Sequence, residues 1–170
     1  MEKQKKTGAR FGSRGEHLVV LQVLLAAMFV LTPRWPELQG SEPFLASTPA
    51  RYLLLGFCWT AAALFLGGGI LAIRKYLTPL PYPVDENQLV RSGVYGLVRH
   101  PLYTSMMLAA IGWTIFTASV AHLALTVVIC MFFSFKASRE ESWLTERHPD
   151  YRDYADRTGK FIPRLPRKGS

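Results

Sequence analysis

Two polar stretches of the sequence carry the side chains that could do chemistry. The first runs from Thr78 to Tyr103 and ends with Arg99 and His100 beside Pro101. Proline favours the first position of a helix, so the pattern predicts a helix that begins at Pro101. The free amides of a helix entrance attract anions, and the two basic side chains beside them indicate a site for a carboxylate or a phosphate. An Arg-His anchor at the end of a membrane helix is the alternative.

The second polar stretch runs from Lys136 to His148 and directly follows an apolar run. A spacing of four residues places Lys136 and Glu140 on one face of a predicted helix. Glu140 and Glu141 point about 100° apart on such a helix, so we expect one to face the interior while the other meets solvent. A carboxylate held near a bilayer surface requires a partner or a ligand. A Lys136–Glu140 pair on a solvated helix is the alternative.

The elements that must position these residues are apolar. Of the 170 residues, 49% are apolar and 19% are charged, and long stretches hold no charge, which excludes a disordered chain and predicts a membrane protein. The run from Tyr52 to Ile73 has a spanning length, whereas Leu18 to Leu31 is a marginal span or a cleaved signal peptide. The runs Leu102 to Phe116 and Val120 to Phe135 predict an antiparallel helical hairpin. We therefore predict an all-α integral membrane bundle with about four transmembrane helices and a cytoplasmic C-terminal helical segment.

Basic residues are distributed unevenly between the two sides that four crossings would create. Cytoplasmic loops retain Lys and Arg. Residues 1–16, 74–101 and 136–170 would share one side and hold 18 of the 20 basic residues, whereas the other side holds Arg34 and Arg51. The distribution predicts a multi-pass protein with both termini in the cytoplasm. The net charge of +8 then reflects orientation and attraction to anionic lipids, and no nucleic-acid partner is expected.

Several common kinds of active site find no support in the sequence. Cys58 and Cys130 both lie in apolar runs, and no two histidines are three or four residues apart, so no metal site is predicted. No nucleophile elbow, dinucleotide fingerprint or P-loop occurs. The glycines from Gly67 to Gly69 lie within an apolar run and predict close helix packing. Tyr151 and Tyr154 are expected to anchor the C-terminal tail on the protein or the lipid surface.

An ordered set of short motifs is more specific than any of these features alone. The set comprises LVRSGVYGLVRHPLY at Leu89–Tyr103, REESWL at Arg139–Leu144, HPDYRDYA at His148–Ala155 and KFIP at Lys160–Pro163, with the hairpin after the first motif. It resembles the isoprenylcysteine carboxyl methyltransferase family over residues 85–165, about half of the chain. The related phospholipid N-methyltransferases share the hairpin and the paired glutamates. The resemblance implies that S-adenosylmethionine binds between the polar stretch from Thr78 to Tyr103 and the helix that follows the last span.

The resemblance also implies a set of site residues. The implied cofactor-binding residues are Asn87, Gln88, Leu89, Val90, Tyr95, His100, Pro101, Leu102, Tyr103 and Glu140. Lys136 aligns where the family has a basic residue that faces the substrate, but lysine in place of arginine loses bidentate recognition of a prenylcysteine carboxylate. Ser105 replaces a common glycine, and His148-Pro149 replaces a Phe-Gly pair. No catalytic base is assigned, because a carboxylate or a free amine is already nucleophilic and can react by orientation and exclusion of water.

The sequence therefore predicts a single membrane methyltransferase domain over residues 1–170. It comprises a basic tail (1–16), a two-helix part (17–77) and a cofactor-binding part (78–165). The predicted reaction is methyl transfer from S-adenosylmethionine to a lipophilic acceptor, most like that of an isoprenylcysteine carboxyl O-methyltransferase, with a phospholipid N-methyltransferase as the alternative. A sterol-reductase-like oxidoreductase and a scaffold without activity are rivals of other classes. The expected partners are membrane lipids and a lipophilic or lipid-linked substrate, and the oligomeric state stays open.

Overall fold

The computed structural model describes residues 15–34, 48–74 and 89–164. These ranges contain five α-helices and no strand. The helices are α1 (Glu16–Leu31), α2 (Thr48–Ile73), α3 (Pro101–Thr117), α4 (Val120–Arg147) and α5 (Tyr151–Arg157), and a 3-10 turn at Gly93–Gly96 precedes α3. The predicted all-α class is confirmed for this part of the chain.

The predicted hairpin is formed by α3 and α4. α3 begins at Pro101, directly after His100, as the proline predicts. It ends at Ala118, whose φ of 45° is left-handed, and Ser119 then caps α4 by accepting a hydrogen bond from the amide of His122. Only two residues therefore separate the helices, so they must fold back on each other. α4 does not end with its apolar run but continues unbroken to Arg147, so the polar stretch is rigidly joined to the hairpin.

One face of α3 packs on α2. The rings of Tyr52 and Phe116 lie 5.0 Å apart at one end of this surface. At the other end, Gly69 is buried beside Leu102. Residues that increase in number along α2 therefore meet residues that decrease in number along α3, and the two helices are antiparallel.

The second surface of α3 packs on α4. α1 also packs on α4, where the rings of Phe29 and His122 lie 5.0 Å apart and Gln22 meets Lys136, so these two helices are antiparallel. The hydroxyls of Thr114 and Thr126 are 2.7 Å apart, and the rings of Tyr103 and Phe133 are 5.0 Å apart, so α3 and α4 are also antiparallel. One buried apolar cluster joins α1, α3 and α4, and its members are Leu18, Leu25, Ala110, Ile129, Phe132 and Phe133. The four long helices thus alternate in direction, and the start of α3 lies at the same end of the bundle as the last turns of α4.

Two of the described helices are long and apolar enough to cross a membrane, as judged by length and composition. They are α2 over Pro49–Ile73 and α4 over Val120–Arg147. The outer face of α2 exposes Leu53, Phe57 and Leu64, each by more than two thirds, which is unfavourable in water and suits lipid. α1 and α3 have 16 and 17 residues and are shorter than a usual span. The structure indicates membrane association, and the four crossings stay a prediction.

Glycines allow close approach at two points of the α2 surface. A Cβ at Gly68 would lie 2.6 Å from Val94, and one at Gly69 would lie 2.8 Å from Leu102, whereas Gly67 meets nothing within 4 Å. The prediction of close packing by the glycine triplet is therefore confirmed for two of its three residues.

Gly112 of α3 provides a test of this packing. A Cβ at Gly112 would lie 2.7 Å from the Cβ of Cys58 and 3.2 Å from Trp59. We expect Gly112→Ala to lower the free energy of unfolding by about 1–3 kcal/mol, the usual effect of overpacking. Gly67→Ala is the matched control and should be neutral or slightly stabilising, because alanine favours helix. Thermal unfolding in detergent measures both, and equal midpoints for the two variants would contradict the close contact.

Candidate active site

His100, directly before α3, is held between two carboxylates of α4. Its Nδ1 lies 3.3 Å from Glu140 Oε2, and its Nε2 lies 3.0 Å from Glu141 Oε1. The imidazole is 6% exposed and each carboxylate is 19% exposed. The expectation that one of the two glutamates meets solvent while the other faces inward is wrong. Both reach His100, because the two nitrogens lie on different edges of one ring and adjacent helical side chains can each approach one edge.

The charge of His100 is set by these carboxylates. Burial alone would lower the pKa of the imidazole, but the hydrogen bonds and attraction to Glu140 and Glu141 raise the pKa above its ordinary value of 6.5. The imidazolium, which donates from both nitrogens, is thereby favoured. The cluster is a cation shared by two anions.

A pH dependence of stability follows from His100. The charged and titratable groups that adjoin its ring or backbone are Arg99, Tyr103, Glu140, Glu141 and Lys160. Because the folded pKa is raised, the stabilisation by His100 is fully present below about pH 6.5 and is lost as the pH rises through the folded pKa. Thermal midpoints of the unsubstituted protein and of His100→Gln should differ most in mild acid and converge at higher pH. A difference that does not vary with pH would contradict the charged cluster.

Arg99 ties the C-terminal segment to α4. Its Nε donates to Glu141 Oε1 at 2.9 Å, and its Nη1 donates to the carbonyls of Ala155, at 2.8 Å, and Thr158. The backbone amide of Arg99 also donates to the carbonyl of Gly159 at 2.8 Å. The side chain is 12% exposed. Arg99 therefore points to the tail and to α4, and its hydrogen bonds are structural.

The segment around the KFIP motif covers His100. The amide of His100 donates to the carbonyl of Lys160 at 3.2 Å, and the ring of Phe161 lies 5.9 Å from the imidazole. Thr104 of α3 donates to the carbonyl of Phe161 at 3.2 Å. The ammonium of Lys160 lies 3.6 Å from Glu141 Oε2. The motif thus packs over His100 and contacts both helices of the hairpin.

Tyr103 joins this charged cluster to a second polar pair. Its hydroxyl donates to Glu140 Oε1 at 3.0 Å, and its ring stacks on His100 with centroids 5.5 Å apart. The Lys136 ammonium lies 5.1 Å from the same ring and donates to Gln22 Oε1 of α1 at 2.6 Å. Lys136 is only 2% exposed. The aromatic ring therefore stands between a carboxylate and a buried cation.

The tyrosines of α5 anchor the tail on the protein, as one branch of the prediction states. Tyr151 and Tyr154 are buried, and the Tyr154 hydroxyl donates to the carbonyl of Tyr95 at 2.6 Å. Burial raises the pKa of Tyr154 to about 12, so the hydroxyl keeps its proton. This contact holds the backbone of the 3-10 turn beside α5.

The structure brings most of the predicted site residues to one end of the bundle. His100, Tyr103, Glu140 and Lys136 form one connected cluster. The flanking predicted residues are buried or half-buried, namely Leu89, Val90, Tyr95, Pro101 and Leu102. Asn87 and Gln88 lie outside the described residues.

Sequence reasoning missed the roles of Glu141 and Gln22. The resemblance implies a site role for Glu140 but none for Glu141, whose structural role depends on Arg99, 42 residues away. Gln22 is the one polar side chain between Leu18 and Leu31, and a lone polar side chain in such a run requires a partner. That partner, Lys136, is 114 residues away.

An apolar cavity of about 590 Å³ adjoins the Lys136–Gln22 pair. All four long helices line it. Its polar end is Gln22, and its larger apolar side chains are Phe29, Trp59, Met106, Trp113 and Phe133. The volume lies within the range of small-molecule sites.

The site lies in a segment of the chain that matches a known protein family. A family model of phospholipid methyltransferases matches residues 58–150, just over half of the chain. The chain belongs to the phospholipid methyltransferase family. The match includes His100, Lys136, Glu140 and Glu141 but not Gln22. The resemblance to the isoprenylcysteine carboxyl methyltransferases is also confirmed by relatives.

Three relatives illustrate the family. The nickel-cobalt-cadmium resistance protein of Alcaligenes xylosoxydans xylosoxydans is 33% identical over 150 residues, which are 86% of this chain and 62% of that protein. The cobalt-zinc-cadmium resistance protein of Cupriavidus metallidurans is 38% identical over 81 residues, 47% of this chain and 38% of that protein. The protein-S-isoprenylcysteine O-methyltransferase of Mus musculus is 27% identical over 135 residues, 76% of this chain and 44% of that protein. The chain thus spans about 40–60% of the length of these relatives.

The metals in the names of two relatives have no counterpart in a visible ligand cluster. Within residues 15–34, 48–74 and 89–164, no group of three or more His, Cys, Asp or Glu side chains is arranged to hold a metal ion.

Proposed function

We propose that the chain is an S-adenosylmethionine-dependent methyltransferase that acts on a lipophilic acceptor from the membrane. The proposal rests on the connection between a charged cluster and an apolar cavity. The charged cluster of His100, Glu140 and Tyr103 lies in the family-matched segment, and Tyr103 joins it to Lys136 beside the apolar cavity. A polar methyl donor and an apolar acceptor can therefore meet at this ring.

The groups around Glu140 are suited to S-adenosylmethionine. A half-buried carboxylate accepts hydrogen bonds from ribose hydroxyls and offsets positive charge. Tyr95, Leu102 and Tyr103 offer aromatic and apolar surface of the kind that adenine contacts. The proposed site is completed by Asn87, Gln88, Leu89, Val90, His100 and Pro101. When bound, the cofactor supplies an electrophilic methyl group carried on a sulfonium.

The residues of the chain contribute to the reaction by position. His100 holds Glu140 and Glu141 in place through its two nitrogens. Lys136 faces the head of the acceptor, and the cavity excludes water from its tail. Orientation of this kind lowers barriers by up to about 7–11 kcal/mol in well-ordered reactions, so no general base is assigned. An isoprenylcysteine-like carboxylate is the first candidate acceptor, and a phospholipid amine is the second.

We also propose that all four long helices cross the membrane, with both chain termini in the cytoplasm. The alternating directions of α1 to α4 agree with the positions of the 18 basic residues that share one side. At 1.5 Å per residue, α1 and α3 extend about 24–26 Å, so the bilayer must thin locally around them. An impermeant thiol reagent should label cysteines introduced in residues 1–14 only after right-side-out vesicles are opened.

The function is tested with the full chain in lipid nanodiscs. Radiolabelled methyl from S-adenosylmethionine should appear in the lipid phase when a membrane extract is supplied, and mass spectrometry of the product identifies the acceptor. S-adenosylmethionine should raise the thermal midpoint more than NADPH does. The reverse order would support a sterol-reductase-like enzyme instead. Absence of stabilisation by either ligand, with no transfer of label, would support a scaffold without activity.

A further inference from the structure

We propose that Gln22 of α1 is a positioning residue that directs the Lys136 ammonium to the acceptor, and that the pair selects an anionic oxygen head over an amine head. The inference rests on the proposed function and names the class of its acceptor, an acidic amphiphile whose tail lies in the apolar cavity. It assigns specificity to a helix outside the family-matched segment of residues 58–150.

The first support is the position of Gln22 between three elements. Its Oε1 accepts a hydrogen bond from Lys136 of α4 at 2.6 Å, and its Nε2 lies 3.6 Å from the sulfur of Met106 of α3. Gln22 also lines the cavity, whose other lining residues are apolar. Gln22 is therefore the polar end of an otherwise apolar cavity, and the Lys136 ammonium lies directly behind it.

The second support is the electrostatic state of Lys136. A side chain that is 2% exposed has little water around its charge, and a buried ammonium is costly unless it is compensated. Gln22 is neutral and cannot cancel the charge, the face of the Tyr103 ring offers only partial compensation, and Glu140 attracts the ammonium from the next turn of α4. Gln22 accepts one of the three ammonium hydrogens and thereby restrains the direction of the other two. A cation so held is complementary to an anion that enters the cavity.

The third support is the difference in charge between the candidate head groups of the acceptor. A carboxylate or a phosphate would be attracted to Lys136, whereas a protonated amine would be repelled by the like charge of its ammonium. A carboxylate also has no proton to lose before it reacts. The pair therefore favours acidic amphiphiles and disfavours the amine of a phospholipid.

The test measures head-group preference by a binding signal that needs no turnover. Trp59 and Trp113 line the cavity, so dibromostearate bound there should quench tryptophan fluorescence in nanodiscs. Palmitate, hexadecanol and hexadecylamine share one tail length and are used as competitors. We expect palmitate to compete best. Equal competition by all three would make the cavity a nonselective lipid site and would overturn the proposal.

Two substitutions separate positioning from simple packing. Gln22→Leu should weaken palmitate binding about tenfold and leave hexadecanol nearly unchanged, since only the direction of the cation is lost. Gln22→Glu retains shape and polarity but neutralises Lys136, so it should reverse the preference toward hexadecylamine. Leu21→Ala, on an exposed position of α1, is the control and should retain the preference. Equal losses for palmitate and hexadecanol in both Gln22 variants would indicate a structural role only.

The same variants distinguish failure of this inference from failure of the proposed function. With an acidic acceptor found in the nanodisc assay, Gln22→Leu should raise KM more than it lowers kcat. If the unsubstituted protein transfers methyl groups but the Gln22 variants keep its head-group preference, the function stands and the inference is wrong. If palmitate is preferred but no methyl group is transferred to any acceptor, the binding site stands and the proposed reaction is wrong.

Discussion

Arg99→Ala is expected to lower the free energy of unfolding by about 1.5–3 kcal/mol, the usual range for a hydrogen bond to a charged group, because Glu141 keeps His100 and Lys160 as partners. The substitution leaves Glu141 without its closest cation and leaves the carbonyls of Ala155 and Thr158 without their side-chain donor. The side-chain contacts of Arg99 to α4 and to the tail are lost together because one guanidinium makes them, while the backbone amide of residue 99 still donates to Gly159. Thermal or denaturant unfolding in detergent measures the effect.

Arg91 provides the matched control for Arg99. It pairs with Asp150 at the surface, where the two side chains are 39% and 60% exposed. Solvent screens such a pair, so Arg91→Ala should change stability little. Arg99→Lys keeps the charge but loses the fork of donors, and its stability should lie between those of the alanine variant and the unsubstituted protein. Similar losses for Arg91→Ala and Arg99→Ala would refute the structural role assigned to Arg99.

Glu140→Gln is expected to reduce the affinity for S-adenosylmethionine about 10- to 100-fold. The loss corresponds to the roughly 1.5–3 kcal/mol of a hydrogen bond to a charged group, at 1.4 kcal/mol for each factor of ten. Glutamine has the same shape and can still contact Tyr103, so the fold should be retained. Titration of the purified protein with the cofactor, by calorimetry in detergent, gives the affinity.

Two further glutamates of α4 separate binding from folding. Glu141→Gln weakens the contacts with Arg99, His100 and Lys160, so it should lower the thermal midpoint more than Glu140→Gln does. Glu146 is exposed on the same helix, and Glu146→Gln should alter neither property. Unchanged cofactor affinity in Glu140→Gln would remove Glu140 from the proposed site, whatever the stability of the variant.

The relation between Glu140 and Glu141 marks a limit of reasoning from helical spacing. Spacing predicts the angle between two side chains, but it does not predict what lies in the space between them. His100 occupies that space and presents a nitrogen to each carboxylate. A single partner with two donor edges cannot be inferred from the periodicity of the helix that faces it.

The local features of this protein follow from its sequence. Pro101 predicts the start of α3, the three-residue gap between two apolar runs predicts the hairpin, and the two polar stretches contain the residues that meet at one end. The motifs also predicted the family, because the ordered combination is more specific than any single motif. These features depend on backbone preferences and on contacts between neighbouring segments, which composition and spacing encode directly.

The pairing of the polar groups depends on how the helices pack. Arg99 bonds to Glu141 and the tail, and Gln22 bonds to Lys136 across the bundle. Such pairs join residues 42 to 114 positions apart, so their formation depends on which helix faces are brought together by packing. Because a buried polar group must find a partner wherever the fold places one, the sequence predicts that partners exist, and the packed helices determine which they are.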